Sequence, residues 1–300
     1  MKKMKIEKIL WLGIWILFLY CMGLIFSRSF PKTHFTLAVT NTVYAQKAEY
    51  FERIESLRHY EDPIQVLNSV ARGQADVGLT DQLIALHLIH LKPEFRNLRL
   101  TGDLLEKEAV GVAFNLRDDS LRQAINRGLA EIAANGIYES ISMRYFGRNI
   151  QPKSMVSAYP EQTPADDGAW KKIRLADEFR FAMSGDNPPF SYLDENQQLA
   201  GFDVDLAREV CIQLGIQNFT PVLVKRGDLL QGLINRRYDA IWNSMKITET
   251  DRALVVFSKP YYETGAQLIV RKKSPITGPE TFSLSVFQEK FQPPIFAKKK

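Results

Sequence analysis

Residues 179–271 decide what this chain can fold into, because short strand-like runs and amphipathic helical runs alternate along them. Residues 179–183 (FRFAM) alternate as a half-buried strand does. A polar turn with Pro188 and Pro189 follows, and two successive prolines bar a helix there. Residues 190–193 and 199–202 read as two short strands around the turn Asp194-Glu195-Asn196-Gln197. Asp203 and Asp205 stand where the next helix begins, at the dipole end that favours carboxylates. Leu206, Val210 and Leu214, with Ala207 and Cys211, form one apolar stripe, and Gly215 closes the helix. A further strand and helix lead to YDAIWNSMKITETDRALVVFSKPYYETGAQLIVR.

The N-terminal half repeats this alternation. Residues 36–39 (TLAV) look like a strand and 43–55 like a helix. Pro63 opens a short helix that ends at Gly73. Residues 75–79 (ADVGL) read as a buried strand, and Asp81 starts the helix DQLIALHLIH. Residues 97–100 and 110–114 read as strands and 121–134 as an amphipathic helix stopped at Asn135-Gly136. A last helix, 137–146, ends at Gly147. Residues 151–171 carry three prolines and read as a polar linker, and 273–300 as an irregular, loosely packed tail.

A hydrophobic content of 45% and a charged content of 24% are those of a globular chain. The net charge of +5 is largely terminal, in Lys2, Lys3, Lys5, Lys8 and the last three lysines, so no nucleic-acid face is expected. Residues 9–26 (ILWLGIWILFLYCMGLIF) hold no charge, and as a helix would span about 27 Å, close to a bilayer core. Lysines before it orient the N-terminus to the cytoplasm and send the rest outward. Its length and the lack of an A-x-A site favour an uncleaved anchor over a signal peptide. Cys21 is preceded by bulky Tyr20, which disfavours a lipoprotein signal, and it is not expected to pair with Cys211.

Three strings carry a resemblance: PPFSYLDENQQLAGFDVDLA, LLQGLINRRYDAI and ITETDRALVVFSKPYYETG. Together they resemble the family 3 bacterial extracellular solute-binding proteins, periplasmic receptors for amino acids and similar small solutes. The N-terminal block resembles the same family's second half, through QVLNSVARGQADVGLTD and EAVGVAFNLRDDSLRQAINRGLAEIAANGIYESISMRYFG. The resemblance implies an α/β, type 2 periplasmic-binding-protein-like two-lobed fold behind an N-terminal transmembrane or signal helix. The expected parts are an anchor at 1–35, a second lobe with closing helices at 36–150, a linker at 151–171, a first lobe at 172–272 and the tail at 273–300. Two arrangements fit: a tandem receptor missing its outer halves, or the two halves forming one domain in permuted order. The permuted domain is the expected one, because each open sheet must cover its apolar faces and the linker is long enough to let them meet.

The resemblance also implies a site. In the family, first-lobe hydroxyls and an arginine hold a ligand's carboxylate, and carboxylates hold its amino group. Asp81 matches the second-lobe acid, and Asn243 and Ser244 occupy the turn that presents carboxylate donors. Lys246 stands where a hydroxyl residue is usual, and Asp251 where the clasping arginine is expected, with Arg252 one place later. Ser184 replaces a common acid, Asn187 and Arg226 replace aromatics, and Val43 and Tyr44 replace small hydroxyl residues. This set reads either as a pocket retuned toward an anionic group, through Arg226 and Lys246, or as a degenerate one. Asp81 has a second reading as a helix cap, and Trp242 as core. His87 and His90 lie at a spacing that can face a metal, but with no third ligand nearby they read as helix-surface histidines. No nucleophile elbow, phosphate-cradling loop or catalytic acid pair is found, so neither enzyme activity nor a cofactor is expected. The implied partners are a small solute, the cytoplasmic membrane through the N-terminal helix, and an ABC transporter permease or a signalling protein. The implied location is the periplasm, tethered to the inner membrane or secreted. The alternatives are the truncated sensory part of a sensor kinase or lytic transglycosylase, or a fragment that binds nothing.

Overall fold

The computed structural model describes residues 34–40, 45–46, 51, 53–156 and 167–282. The apolar stretch 9–26, with Cys21, and the positions Val43 and Tyr44 lie outside them. Among the described residues no helix is long and apolar enough to cross a membrane.

Local signals set the helices. Asp62 caps α1 (Pro63–Ala71), accepting a hydrogen bond from Ile64 N at 2.6 Å, and Pro63 brings the backbone angle that a first turn needs. Asp81 caps α2 (Gln82–Leu91). α3 (Asp119–Ala134) and α4 (Ile137–Phe146) follow. Beyond them come α5 (Lys153–Val156), α6 (Ala169–Ala176), α7 (Phe202–Gln213), α8 (Leu229–Ile234) and α9 (Glu249–Arg252).

The strands are β1 (Phe35–Val39), β2 (Ile54–His59), β3 (Val77–Asp81), β4 (Leu98–Asn115), β5 (Glu178–Met183), β6 (Asp186–Asn187), β7 (Ser191–Leu193), β8 (Leu199–Ala200), β9 (Asn218–Leu223), β10 (Ala240–Lys246), β11 (Val255–Phe257) and β12 (Tyr262–Arg271). Among the described residues β6, β7 and β8 form a small antiparallel sheet. The others form one nine-stranded sheet in the order β2-β1-β3-β12-β4-β10-β5-β9, with β11 also on β4.

That order interleaves the two halves of the chain. β12, from the C-terminal half, lies between β3 and β4 of the N-terminal half, and β4 in turn lies between β12 and β10. β12 pairs antiparallel with β4 from Tyr262↔Val110 to Arg271↔Leu98, and with β3 from Ala266↔Asp81 to Val270↔Val77. The upper end of β4 also pairs with β10 and β11. The described residues from Thr36 to Phe282 belong to one compact unit, in which both halves share one sheet.

The helices close the same arrangement. α3 packs on α7 so tightly that a Cβ on Gly128 would lie 2.8 Å from Val210 Cγ1 and 3.1 Å from Leu214 Cγ. Phe202 of α7 meets Tyr138 and Phe146 of α4 edge-on, at ring-centroid distances of 5.9 and 5.0 Å. Leu83 and Leu86 of α2 join this cluster with Phe190 and Tyr262. Burial of each such side chain stabilises the fold by roughly 1.5–3 kcal/mol, so the shared cluster holds the halves together without a covalent staple.

Several expectations are corrected. The two strands expected at 97–100 and 110–114 are one strand, β4. Its middle (GDLLEKE) is polar and irregular, with Glu106 at φ 54° and register shifts opposite Thr264 and Ala266, so the sequence pattern breaks where the pairing does not. Residues 54–55, expected to be helical, belong to β2, whose pairing with β1 overrides local preference. Both ends of the expected linker pack on the domain. Met155 is buried, and the Asp167 carboxylate accepts hydrogen bonds from Ser120 N and Ala169 N at 2.8 and 2.9 Å. The tail is anchored as far as Phe282: Ile276 and Phe282 are buried, and Arg99 donates to the carbonyls of Ser274 and Ile276.

Gly128→Leu should destabilise the chain by about 1–3 kcal/mol, because the added side chain has no room against α7. In urea, fluorescence and far-ultraviolet dichroism should report a single transition shifted to lower denaturant. Two separate transitions, only one of them shifted, would contradict a shared core.

Candidate functional site

The site grows from the end of β10. Ala240 and Ile241 run parallel to β5, after which the pairing with β4 shifts register before Met245. In that interval Ser244 adopts a left-handed backbone conformation, φ 52°. A serine held there is strained, and its neighbours fix it. Ser244 N and Oγ both donate to Asp203 Oδ2, at 2.7 and 2.9 Å, and Asn187 Nδ2 donates to Ser244 Oγ at 3.1 Å. One residue earlier, Asn243 Oδ1 accepts from Ser184 N, Ser184 Oγ and Ser191 Oγ at 2.8, 3.0 and 2.9 Å. Four of the expected site residues, Ser184, Asn187, Asn243 and Ser244, thus meet in one polar cluster.

Asp203 is the member that sequence reasoning missed. It read only as a helix-start acid, which it is, in the first turn of α7. It is also fully buried, and its Oδ1 has no hydrogen-bond partner among the described residues. Burial pushes its carboxyl up to about 6, against the hydrogen bonds from Ser244.

Asp81 reaches the same region from the N-terminal half. Its Oδ1 accepts from Leu83 N and Ile84 N at 2.8 and 3.0 Å, so the capping role is real. Oδ2 accepts from Thr264 Oγ1 of β12 at 2.7 Å. Burial raises its pKa, with a smaller contribution from the negative charge of Glu108. Tyr262 is fully buried; burial raises its hydroxyl well above the usual range, and the charges of Asp203 and Asp81 add to the rise. Its ring stacks on Phe190 at 5.2 Å and 13°.

The expected basic residues stand apart from this cluster, each beside an acid. Arg226 Nη2 lies 3.5 Å from Asp186 Oδ1, and Arg252 Nε lies 3.5 Å from Glu249 Oε1; both are exposed. Lys246 Nζ lies 2.7 Å from Glu108 Oε2. Asp251, at the expected arginine position, accepts from Thr248 Oγ1 at 2.7 Å and so helps cap α9. Trp242 is fully buried core. His87 is corrected from a surface residue to a half-buried member of the α2–α4 contact, while His90 is exposed as expected. His87 Nδ1 lies 2.9 Å from Tyr145 O, burial lowers its pKa, and the His90 ring lies against Gly147. Among the described residues no group of three or more His, Cys, Asp or Glu is placed to hold a metal ion. Cys211 is buried and unpaired, its thiol pushed up to about 12 by burial.

A mixed-sheet α/β domain with a hydroxyl- and amide-rich turn facing a buried acid is thus the class that the fold and site define. Within that class, residues 179–300 match the family described as bacterial extracellular solute-binding proteins, family 3. The match runs past Lys272, where the resemblance was expected to end. ABC transporter arginine-binding protein 1 of Escherichia coli is 36% identical over 98 residues, which are 32% of this chain and 40% of that protein. The histidine-binding periplasmic protein of Salmonella typhimurium is 32% identical over 123 residues, 41% of this chain and 45% of that protein. Among solved structures, the arginine-bound form of domain 1 from TmArgBP is 34% identical, with a TM-score of 0.30, covering 34% of this chain and 86% of that one. The chain spans less than half the length of the curated relatives it matches.

Asp203 has a raised carboxyl in the folded state, so the stability it contributes is full below its unfolded value near 3.8 and is lost as pH rises through about 6. Asp203→Asn keeps an oxygen for Ser244 N and removes the titration. Between about pH 4 and pH 7 the wild type should lose up to about 3 kcal/mol more than the variant in denaturant melts. Parallel pH profiles for the two proteins would contradict this assignment.

Proposed function

We propose that this chain is an extracytoplasmic solute-binding receptor for an amino-acid-like small molecule, acting in transport or sensing. On this reading residues 36–150 serve as a second lobe with the closing helices α3 and α4, and 172–272 as a first lobe, with β4 and β12 pairing across them. The family's lobes are then present in permuted chain order. The observation that carries the reading is the polar cluster of Ser184, Asn187, Asn243 and Ser244 at the β10 turn, backed by buried Asp203. Hydroxyl and amide groups gathered in one turn suit the carboxylate end of an α-amino acid. Relatives named for arginine, cystine and histidine binding support the solute class. The charge-free segment 9–26 behind lysines supports export to the periplasm with a membrane tether. An ABC transporter permease or a signalling protein is the partner such a receptor would serve.

Titration calorimetry and thermal shift of the full chain against arginine, histidine, cystine and glutamate test the reading. At least one should bind, and at about 100-fold excess over its Kd should stabilise the fold by about 2.7 kcal/mol. Ser244→Ala should weaken that binding about tenfold or more. Absence of heat and of thermal shift with every one of the four would remove the receptor role.

A further inference from the structure

A row of polar side chains crosses the middle of the sheet on four neighbouring strands. Asp81 ends β3 opposite Ala266 of β12, and Thr264 of β12 stands opposite Glu108 of β4. Glu108 reaches Lys246 of β10. The links along the row are Thr264 Oγ1 to Asp81 Oδ2 and Lys246 Nζ to Glu108 Oε2, both 2.7 Å. The strands come alternately from the N-terminal and C-terminal halves, so the row exists only in the assembled domain.

The members of the row are not equivalent. Asp81 is occupied by two backbone amides and Thr264. The Lys246 and Glu108 side chains are 58% and 33% exposed, so a solute can reach both charged ends. Lys246 also lies two residues beyond Ser244, the end of the Asn187–Ser244–Asp203 chain. The strand pairing is irregular beside Glu108: Glu106 is left-handed, and a Cβ on Gly265 would lie 2.7 Å from Glu106 O.

Resting on the receptor reading above, we infer that the Lys246–Glu108 ion pair recognises a zwitterionic solute by exchange of partners. The solute's ammonium takes the place of Lys246 on Glu108, and its carboxylate takes the place of Glu108 on Lys246. An exposed ion pair holds its partners weakly, so opening it costs little. Inserting a zwitterion leaves each charge matched, whereas an amine leaves Lys246 without an anion and a simple anion leaves Glu108 without a cation. The lysine's single mobile ammonium suits such an exchange better than a fixed guanidinium fork. Glu108 cancels Lys246 at rest, so Lys246 selects for a carboxylate only when an ammonium accompanies it.

The test compares arginine, histidine and cystine with their decarboxylated counterparts agmatine, histamine and cystamine, by calorimetry on the full chain. Wild type should bind at least one of the amino acids about tenfold or more tightly than its amine. Lys246→Met should erase that preference by weakening the amino acid to the level of the amine. Glu108→Gln should weaken the amino acid about tenfold or more. The charge swap, Lys246→Glu with Glu108→Lys, should recover most of what either single change loses. Thermal midpoints close to wild type check that the variants fold. If wild type binds and Lys246→Met keeps its affinity and preference, the exchange is wrong while the receptor reading stands. If wild type binds none of these three amino acids and not glutamate either, both fall together.

Discussion

Everything in this molecule hangs on one antiparallel pairing, that of β12 with β4. Each strand belongs to a different half of the chain, and each continues past the contact into sheet built mostly by the other half. Were they parted, the sheet would split into β2-β1-β3-β12 and β4-β10-β5-β9, and the backbone amides along the facing edges of β12 and β4 would need water. The aromatic cluster of Tyr138, Phe146, Phe190, Phe202 and Tyr262 would also be split, since its members come from both halves. The pairing therefore turns two incomplete pieces into one hydrophobic core.

The same pairing makes the site. Tyr262 and Thr264 open β12, and they carry its contacts toward Asp203 on one side and Asp81 on the other. Neither acid is a free surface charge. Asp203 holds a strained serine turn from inside the core, and Asp81 caps a helix while facing β12. Burial raises the proton affinity of both, which couples the chemistry of the site to the integrity of the core. The basic residues around them are each neutralised by a nearby carboxylate, so the region presents dipoles and one exchangeable ion pair rather than a net positive field.

Capped helices were legible from sequence because their signals are local: Asp62-Pro63, Asp81, Gly136 and Gly147 each act within a turn. The meeting of α3 and α4 with the C-terminal half was expected from the family resemblance and from the need of each open sheet to cover its apolar faces. β4 was not, because Glu106, Lys107 and Glu108 interrupt its alternation and its continuity comes from β12, far along the chain. In the site, the Ser and Asn cluster was readable from its turn. Asp203's second role was not, since a helix-start acid already has a local reason to be where it is. The charge of Lys246 and Arg226 was readable but its sign in context was not, because Glu108 and Asp186 reach them only through the fold.

Native-state amide hydrogen exchange of the full chain tests the central claim most directly. If the interleaved sheet is one cooperative structure, the amides of Leu268, Ile269 and Val270 in β12 and those of Phe181 and Ala182 in β5 should exchange through the same global opening. Their opening free energies should then match the unfolding free energy from denaturant melts. Rapid exchange in β12 while β5 stays protected would mean that the two halves open separately, and would contradict a domain assembled from both.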